Sequence, residues 1–142
     1  MRTNVTFLHP AEYVPTSGDY GVLGTAGASW FADILRRVDG LAVDDAIVQE
    51  DWGVVIFGAR SDCRFWVGLS FWNEGAWLAH VHHGSFAWVQ RLTARGKREL
   101  ERLALDLHAA LRSDAHVQDV CWHLEPELQL PDTPGAARPD AA

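Results

Sequence analysis

Hydrophobic and polar residues alternate through the middle of the chain, in residues 46–83 (AIVQEDWGVVIFGARSDCRFWVGLSFWNEGAWLAHVHH). Alternation of this kind, rich in β-branched and aromatic residues, is typical of half-buried strands, and the polar breaks between the runs are typical of turns. The stretch predicts three consecutive antiparallel strands. Gly53 and Gly68 lie inside two of them, and such glycines indicate a bulge or a bend, so we expect a strongly curved sheet.

The same alternation assigns residues to the two faces of the sheet. In the first strand, Trp52, Val54 and Ile56 share one face. In the second strand, the core face is predicted to carry Phe65, Val67, Leu69 and Phe71, and the opposite face Trp66, Gly68, Ser70 and Trp72. Two tryptophans beside small residues form a shallow aromatic concavity if that face is uncovered. The alternative is that they pack in the core, under the N-terminal helix.

Two segments show helical spacing instead. Residues 30–38 (WFADILRRV) follow Ser29, which can cap a short helix, and a longer helix with a leucine stripe is predicted from Thr93 to Ser113. Residues 117–125 (VQDVCWHLE) alternate again, so they predict a strand that returns to the sheet beside the first or second strand of the meander. Residues 1–27 allow only a short strand, at 3–8, in a segment that is expected to wrap the core.

These elements predict one α+β domain over residues 1–125. Its curved antiparallel sheet, a three-stranded meander plus a C-terminal strand, packs against two helices. Four of the six prolines fall after Glu125, so residues 126–142 are predicted to be a flexible tail. A chain of 142 residues can bury a core without metals or disulfides. Cys63 and Cys121 are therefore expected to be reduced, although spacing leaves a disulfide between them open.

Charge narrows the classes of partner. Twelve basic and nineteen acidic residues give a net charge of −7, which disfavours nucleic acid and anionic lipid and favours a cationic partner, unless the charge serves only solubility. No apolar run is long enough to span a membrane or to form a signal peptide, so we expect a cytoplasmic protein with no membrane contact.

Acidic residues are concentrated just before the first strand of the meander. Residues 39–51 contain five acids and no basic residue: Asp39, Asp44, Asp45, Glu50 and Asp51. The segment is predicted to be a linker that forms a negative edge beside Trp52. An arginine- or lysine-rich surface would recognise such an edge, and a merely solvated turn is the alternative.

No local signature of catalysis or of cofactor binding is present: the chain has no GxSxG, HExxH, CxxC or phosphate-binding glycine loop. We therefore predict neither an enzyme nor a cofactor. His80 and His82 point the same way from the third strand, and a metal ion or small ligand could bridge them, but a third ligand is needed and no metal site is assigned. A basic stretch at Arg91, Arg95, Lys97 and Arg98 is a further possible contact surface.

The order of these elements and the motifs QEDWG, FWVGLSF, WLAHV and VQDVCWHLE resemble a family of small bacterial proteins with an EDWGW-type motif and a terminal DVRWH-like strand. The resemblance covers residues 28–125, and the sequence departs from it at Val54, where an aromatic residue is expected. Small acidic α+β proteins of this kind are similar to immunity proteins of contact-dependent or type VI secretion toxin systems. The resemblance implies that the chain binds and neutralises a cognate toxin domain, which is expected to be basic. The predicted contact surface consists of Asp44, Asp45, Glu50, Asp51, Trp72 and Glu74.

Overall fold

The computed structural model describes residues 1–10, 25–73, 76–84, 93–129 and 135–141. The described residues form two helices and one six-stranded sheet, so the predicted α+β class is confirmed. In chain order the elements are β1 (Asn4–Leu8), α1 (Thr25–Arg36), β2 (Ala42–Glu50), β3 (Gly53–Arg60), β4 (Cys63–Asn73), β5 (Ala76–His83), α2 (Ala94–Ser113) and β6 (Gln118–His123), followed by a 3₁₀ helix, Glu125–Gln129.

The strands lie in the order β2-β3-β4-β5-β1-β6, and every neighbouring pair is antiparallel. The meander therefore has four strands, β2 to β5, instead of the predicted three. The short strand predicted at 3–8 is confirmed as β1, which lies inside the sheet, between β5 and β6. Most of the segment that was expected to wrap the core, residues 11–24, lies outside the described residues. The placement predicted for the C-terminal strand was wrong, because β6 pairs with β1 at the edge farthest from β2.

Two crossovers explain why both helices lie on the same side of the sheet. Helix α1 carries the chain from β1 across to β2, and α2 carries it from β5 over β1 to β6. Strands β1 and β5 run in opposite directions, and the two crossovers also run toward opposite edges. Crossovers of one hand then place their helices on one face. We call this the covered face, and we call the opposite side, on which neither described helix packs, the open face.

Strand β2 replaces the acidic linker predicted for residues 39–51. Its half-buried Val43 and Ile47 pack against the core, whereas the other residues from Ala42 to Glu50 are exposed. Between these two residues the register with β3 shifts, so that Asp44, Asp45 and Ala46 lie opposite Phe57 alone. Asp45 would face the core in a regular strand, and the bulge lets it stay exposed.

The helices follow the leucine and alanine pattern closely. Helix α2 is capped as expected, because the Thr93 hydroxyl accepts a hydrogen bond from the Gly96 N–H at 2.9 Å. Its predicted stripe is largely buried, at Leu103, Ala104, Leu107 and Leu111. Helix α1 begins at Thr25, four residues before Ser29, so Ser29 is not its cap. The reason is that the buried face of α1 already includes Ala28.

The core lies between the helices and the covered face. Strand residues that contribute to it are Val5, Phe7, Val54, Ile56, Cys63, Phe65, Val67, Leu69, Trp77, Ala79, Val81, Val120 and Trp122. Phe71 was predicted to belong to this set, but it lies near the end of β4 and is 39% exposed. His83 points to the covered face and is buried, as its alternation with His80 and His82 predicts.

The C-terminal segment contacts the domain in the parts that the structure describes. Ala136 and Trp122 exchange two backbone hydrogen bonds of 2.7 Å, and the Arg2 N–H donates to the Pro139 carbonyl at 3.0 Å. Arg2 also forms an ion pair with Glu127 at 3.1 Å. Cys63 and Cys121 are free thiols. Among the described helices, none has the length and apolar character required to cross a bilayer.

Candidate functional site

The strand register aligns one row of residues across all six strands of the open face. From β2 to β6 the row is Val48, Val55, Gly68, His80, Asn4 and His123. The rows on either side contain Phe57, Trp66 and His82, and Ser70, Leu78, Thr6 and Cys121. Aromatic, histidine and hydroxyl side chains thus share one surface, whereas the covered face is almost wholly apolar.

Gly68 makes room at the centre of this row. The Trp52 indole lies over it, because a Cβ atom built on Gly68 would be only 2.6 Å from Cη2 of Trp52. Trp52 was predicted to share a face with Val54 and Ile56, and this prediction was wrong. Trp52 lies in the turn between β2 and β3, and Gly53, with φ of +158°, passes so close to the backbone of Leu69 that no side chain fits there. The turn therefore directs the indole to the open face.

The aromatic concavity predicted around Gly68 is consequently filled. Trp66 is half-buried and stacks on the His82 ring, with centroids 4.3 Å apart. Trp52 meets the His80 ring edge-on, with centroids 6.4 Å apart. The alternative explanation, that these tryptophans pack under the N-terminal helix, is overturned because α1 packs on the covered face.

His80 is held in one orientation by its neighbour on β1. Its Nδ1 lies 2.6 Å from the Asn4 Oδ1 atom. An amide oxygen only accepts, so Nδ1 of His80 carries the proton and donates it. Burial lowers the pKa of His80, and the opposing charge of Glu125 offsets this in part. The neutral form of the imidazole is therefore favoured, with Nε2 unprotonated.

The predicted His80 and His82 pair does not converge on a ligand set. The two rings lie side by side, with centroids 6.2 Å apart and planes 29° from parallel. Within the described residues, no His, Cys, Asp or Glu completes a three-ligand group with them. Metal binding at this pair remains a prediction without a third ligand in that part of the chain.

The predicted acidic contact surface is divided between the two ends of β2. Asp44 and Asp45 lie at the bulge, and Asp44 pairs with the exposed Arg64 at 3.2 Å. Glu50 and Asp51 lie at the turn to β3. At about 3.3 Å per residue, the two pairs of acids are roughly 15 Å apart along the strand. They do not form one continuous patch.

The end of β2 at Glu50 and Asp51 carries the exposed aromatic residues. Trp52 is 44% exposed, and Trp72, at the same end of the sheet on β4, is 42% exposed. By alternation Glu50 and the exposed Val48 point to the open face. At Trp72 the register of β4 with β5 shifts, so alternation does not continue through this residue. We call Glu50, Asp51, Trp52 and Trp72 the acidic-aromatic tip. Glu74, also predicted to belong to the contact surface, lies outside the described residues.

A second polar cluster lies at the end of β1. It consists of His9, just after β1, and of Asp114 and His116, just after α2. Asp114 accepts a hydrogen bond from the His116 backbone N–H at 2.9 Å, and the Trp30 indole N–H donates to its other oxygen over 3.5 Å. The hydrogen bond from His116 is the main reason that the pKa of Asp114 is lowered, and the indole contributes to the same effect. No sequence pattern indicated this cluster, because His9 and Asp114 are more than one hundred positions apart.

Comparison of the chain with protein-family models, with curated proteins and with solved structures gives no match.

Proposed function

We propose that this protein is an immunity-type inhibitor, which binds a basic toxin domain through the acidic-aromatic tip and so neutralises it. The observation that carries the proposal is the exposure of two tryptophans, Trp52 and Trp72, at the end of the sheet that carries Glu50 and Asp51. Tryptophan is enriched among the residues that dominate binding energy in interfaces, because it buries a large area with few rotatable bonds.

The charge of the chain favours a basic partner. The net charge is −7, and the tip adds two carboxylates close to the exposed indoles. Charge of this kind accelerates encounter with an oppositely charged surface, whereas buried aromatic contacts slow dissociation. The two features would act on different rate constants.

Glu50 and Asp51 have greater weight in this proposal than Asp44 and Asp45. Asp44 already has a cationic neighbour in Arg64, and the bulge carries no exposed tryptophan. The contribution of the four acids to binding can therefore be tested separately at each end of β2.

The first experiment identifies the partner and tests its effect. Tagged protein is recovered gently from host lysate and analysed by native mass spectrometry. A stoichiometric protein companion that arrests growth when expressed alone, and not when co-expressed with this chain, supports the proposal. A companion that is harmless when expressed alone would remove the immunity role and leave only binding, and recovery of the chain without a companion would contradict both.

The second experiment compares the two ends of β2 with variants that each remove two negative charges. Replacing Glu50 by Gln together with Asp51 by Asn should slow association with the companion by about tenfold at low salt. The matched control, Asp44→Asn with Asp45→Asn, should have a much smaller effect. Trp72→Ala should weaken affinity by about 30-fold through faster dissociation, equivalent to about 2 kcal/mol. Equal effects of the two acidic pairs would exclude the tip as the specific contact.

A further inference from the structure

The cluster at the end of β1 brings together donor groups that suit a metal ion. The potential ligand atoms of His9, Asp114 and His116 all lie within 4.8 Å of one another. We propose that these three side chains bind one divalent transition-metal ion, with zinc as the best match. This site would be separate from the acidic-aromatic tip, and the proposal does not depend on the proposed inhibitor function.

The donor set determines which metal is expected. Two imidazoles and one carboxylate are ligands that zinc binds in proteins, with an exchangeable water in a fourth position. Calcium and magnesium prefer sets made of oxygen atoms alone. His116 is exposed, with 72% of its side chain accessible, so solvent can reach the fourth position.

The carboxylate is held in place by the surrounding structure. The side chain of Asp114 is only 9% exposed. Its backbone N–H bonds the Leu111 carbonyl at 3.2 Å as the end of α2, and its two oxygens accept from His116 and from Trp30. Hydrogen bonds of this kind orient a ligating carboxylate, so its side chain loses less conformational entropy when a metal binds.

His9 is also fixed. Its ring stacks on the Trp30 indole with centroids 3.8 Å apart, and its carbonyl accepts a hydrogen bond from the Trp77 indole N–H at 3.3 Å. Burial lowers the pKa of His9, and His116 lowers it further, against the opposing effect of Asp114. A neutral imidazole is the form that binds a metal.

Two adjustments accompany binding. Ligands about 2.0 to 2.2 Å from a tetrahedral zinc ion lie about 3.4 Å from one another, so the side chains must close inward. His116 can do this by rotation, since it is exposed and its Nδ1 already lies 3.4 Å from the nearer Asp114 oxygen. Arg37, directly after α1, lies 3.6 Å from the other oxygen and must move aside, which its 55% exposure allows.

The test uses the full chain, treated with a chelator and then titrated with zinc alone against a chromophoric competitor. We expect one ion per chain with micromolar or tighter affinity, and cobalt should give the visible absorption of a tetrahedral site. His116→Gln should weaken zinc binding by at least about tenfold. His82→Gln is the matched control, since it removes a histidine from the open face, and it should leave the affinity unchanged. Absence of stoichiometric zinc uptake, or loss of binding in His82→Gln but not in His116→Gln, would overturn the proposal.

A second pair of variants tests the proposed ligand set through an expected gain in zinc affinity. Arg37→Gln removes the cation that competes for Asp114 and should strengthen zinc binding several-fold. Arg36→Gln removes the same charge from the preceding residue. Arg36 pairs with Asp33 at 2.8 Å and not with Asp114, so this change should have little effect. Equal changes in the two variants would indicate a general charge effect and contradict the assigned ligand set. Circular dichroism of each variant confirms that the fold is retained.

Discussion

The two faces of the sheet contain aromatic residues of similar size in opposite environments. On the covered face, Trp77 and Trp122 are at most 1% exposed, whereas Trp52, over the open face, and Trp72, near the end of β4, are more than 40% exposed. The alternation of the strands is the same on both sides. The difference arises from the two crossovers, which place both helices on one face. The period of the sequence therefore assigns residues to faces, and the connections decide which face forms the core.

The largest expected effect tests this comparison by removing one buried and one exposed tryptophan. Trp77→Ala should cost about 3 to 5 kcal/mol in the free energy of unfolding, because a fully buried indole leaves a cavity. Trp72→Ala should change it by no more than about 0.5 kcal/mol. Urea denaturation followed by circular dichroism measures both. A loss of similar size for Trp72→Ala would mean that the Trp72 side chain is packed against the domain and not exposed.

A smaller effect is expected at Gly68, on the open face, over which the Trp52 indole packs. Gly68→Ala should displace the Trp52 indole and cost about 1 to 3 kcal/mol, as overpacking does elsewhere. Acrylamide quenching of fluorescence should show greater exposure of tryptophan. The neighbouring change Ser70→Ala serves as the control.

A double-mutant cycle tests the cause of that loss. In a Trp52→Ala background, the indole that Gly68→Ala would strike is absent, so the cost of Gly68→Ala should shrink by about 0.5 to 3 kcal/mol. The same cost in both backgrounds would show that the alanine clashes with something other than Trp52.

The smallest of the three effects is a dependence of the folding stability on pH, to which histidines of the open face contribute. Burial lowers the pKa values of His80 and His123 below their usual 6.5. The unfolded chain then binds protons more readily than the folded one, so this part of the stability is present above about pH 6.5 and is lost as the pH falls. Urea midpoints at about pH 7.5 and about pH 5.5 should differ accordingly.

Substitution distinguishes these histidines from other titrating groups. His80→Gln keeps a donor for Asn4 but no longer titrates, and His123→Gln removes the second contribution. Each should reduce the difference between the two urea midpoints, and the double variant should reduce it further. An unchanged difference in the double variant would assign the pH dependence to groups outside the open face.

Local patterns in the sequence predicted the parts of the fold that local interactions form. The leucine stripe and Thr93 predicted the bounds of α2 to within one residue. The alternation of Phe65, Val67 and Leu69 correctly predicted the core face of β4. Strand β2 was missed because its bulge breaks the alternation. Its core-facing residues, Val43 and Ile47, are four positions apart, whereas a regular strand has one at every second position. Its acids then resembled a solvated linker.

Long-range pairing was not predictable in the same way. Strand β1 meets β5 and β6 through hydrogen bonds such as those of Asn4 with His80 and of Thr6 with His123, and no local pattern encodes them. The candidate metal cluster has the same origin, since His9 reaches Asp114 only when β1 lies in the sheet. At the acidic-aromatic tip, the exposed edge was predicted but Trp52 was assigned to the wrong face, because the backbone at Gly53 turns the chain.

The internal position of β1 has a consequence for the order of folding. The hairpins of β2 to β5 close short loops. Pairing β1 with β5 and β6 instead joins residues that are separated by 76 positions (Asn4 and His80) and by 117 positions (Thr6 and His123), so more chain entropy is lost. Contacts of such high sequence separation slow folding. We therefore expect the entry of β1 to limit the folding rate, although β1 leaves the ribosome before β5 and β6, the two strands with which it pairs.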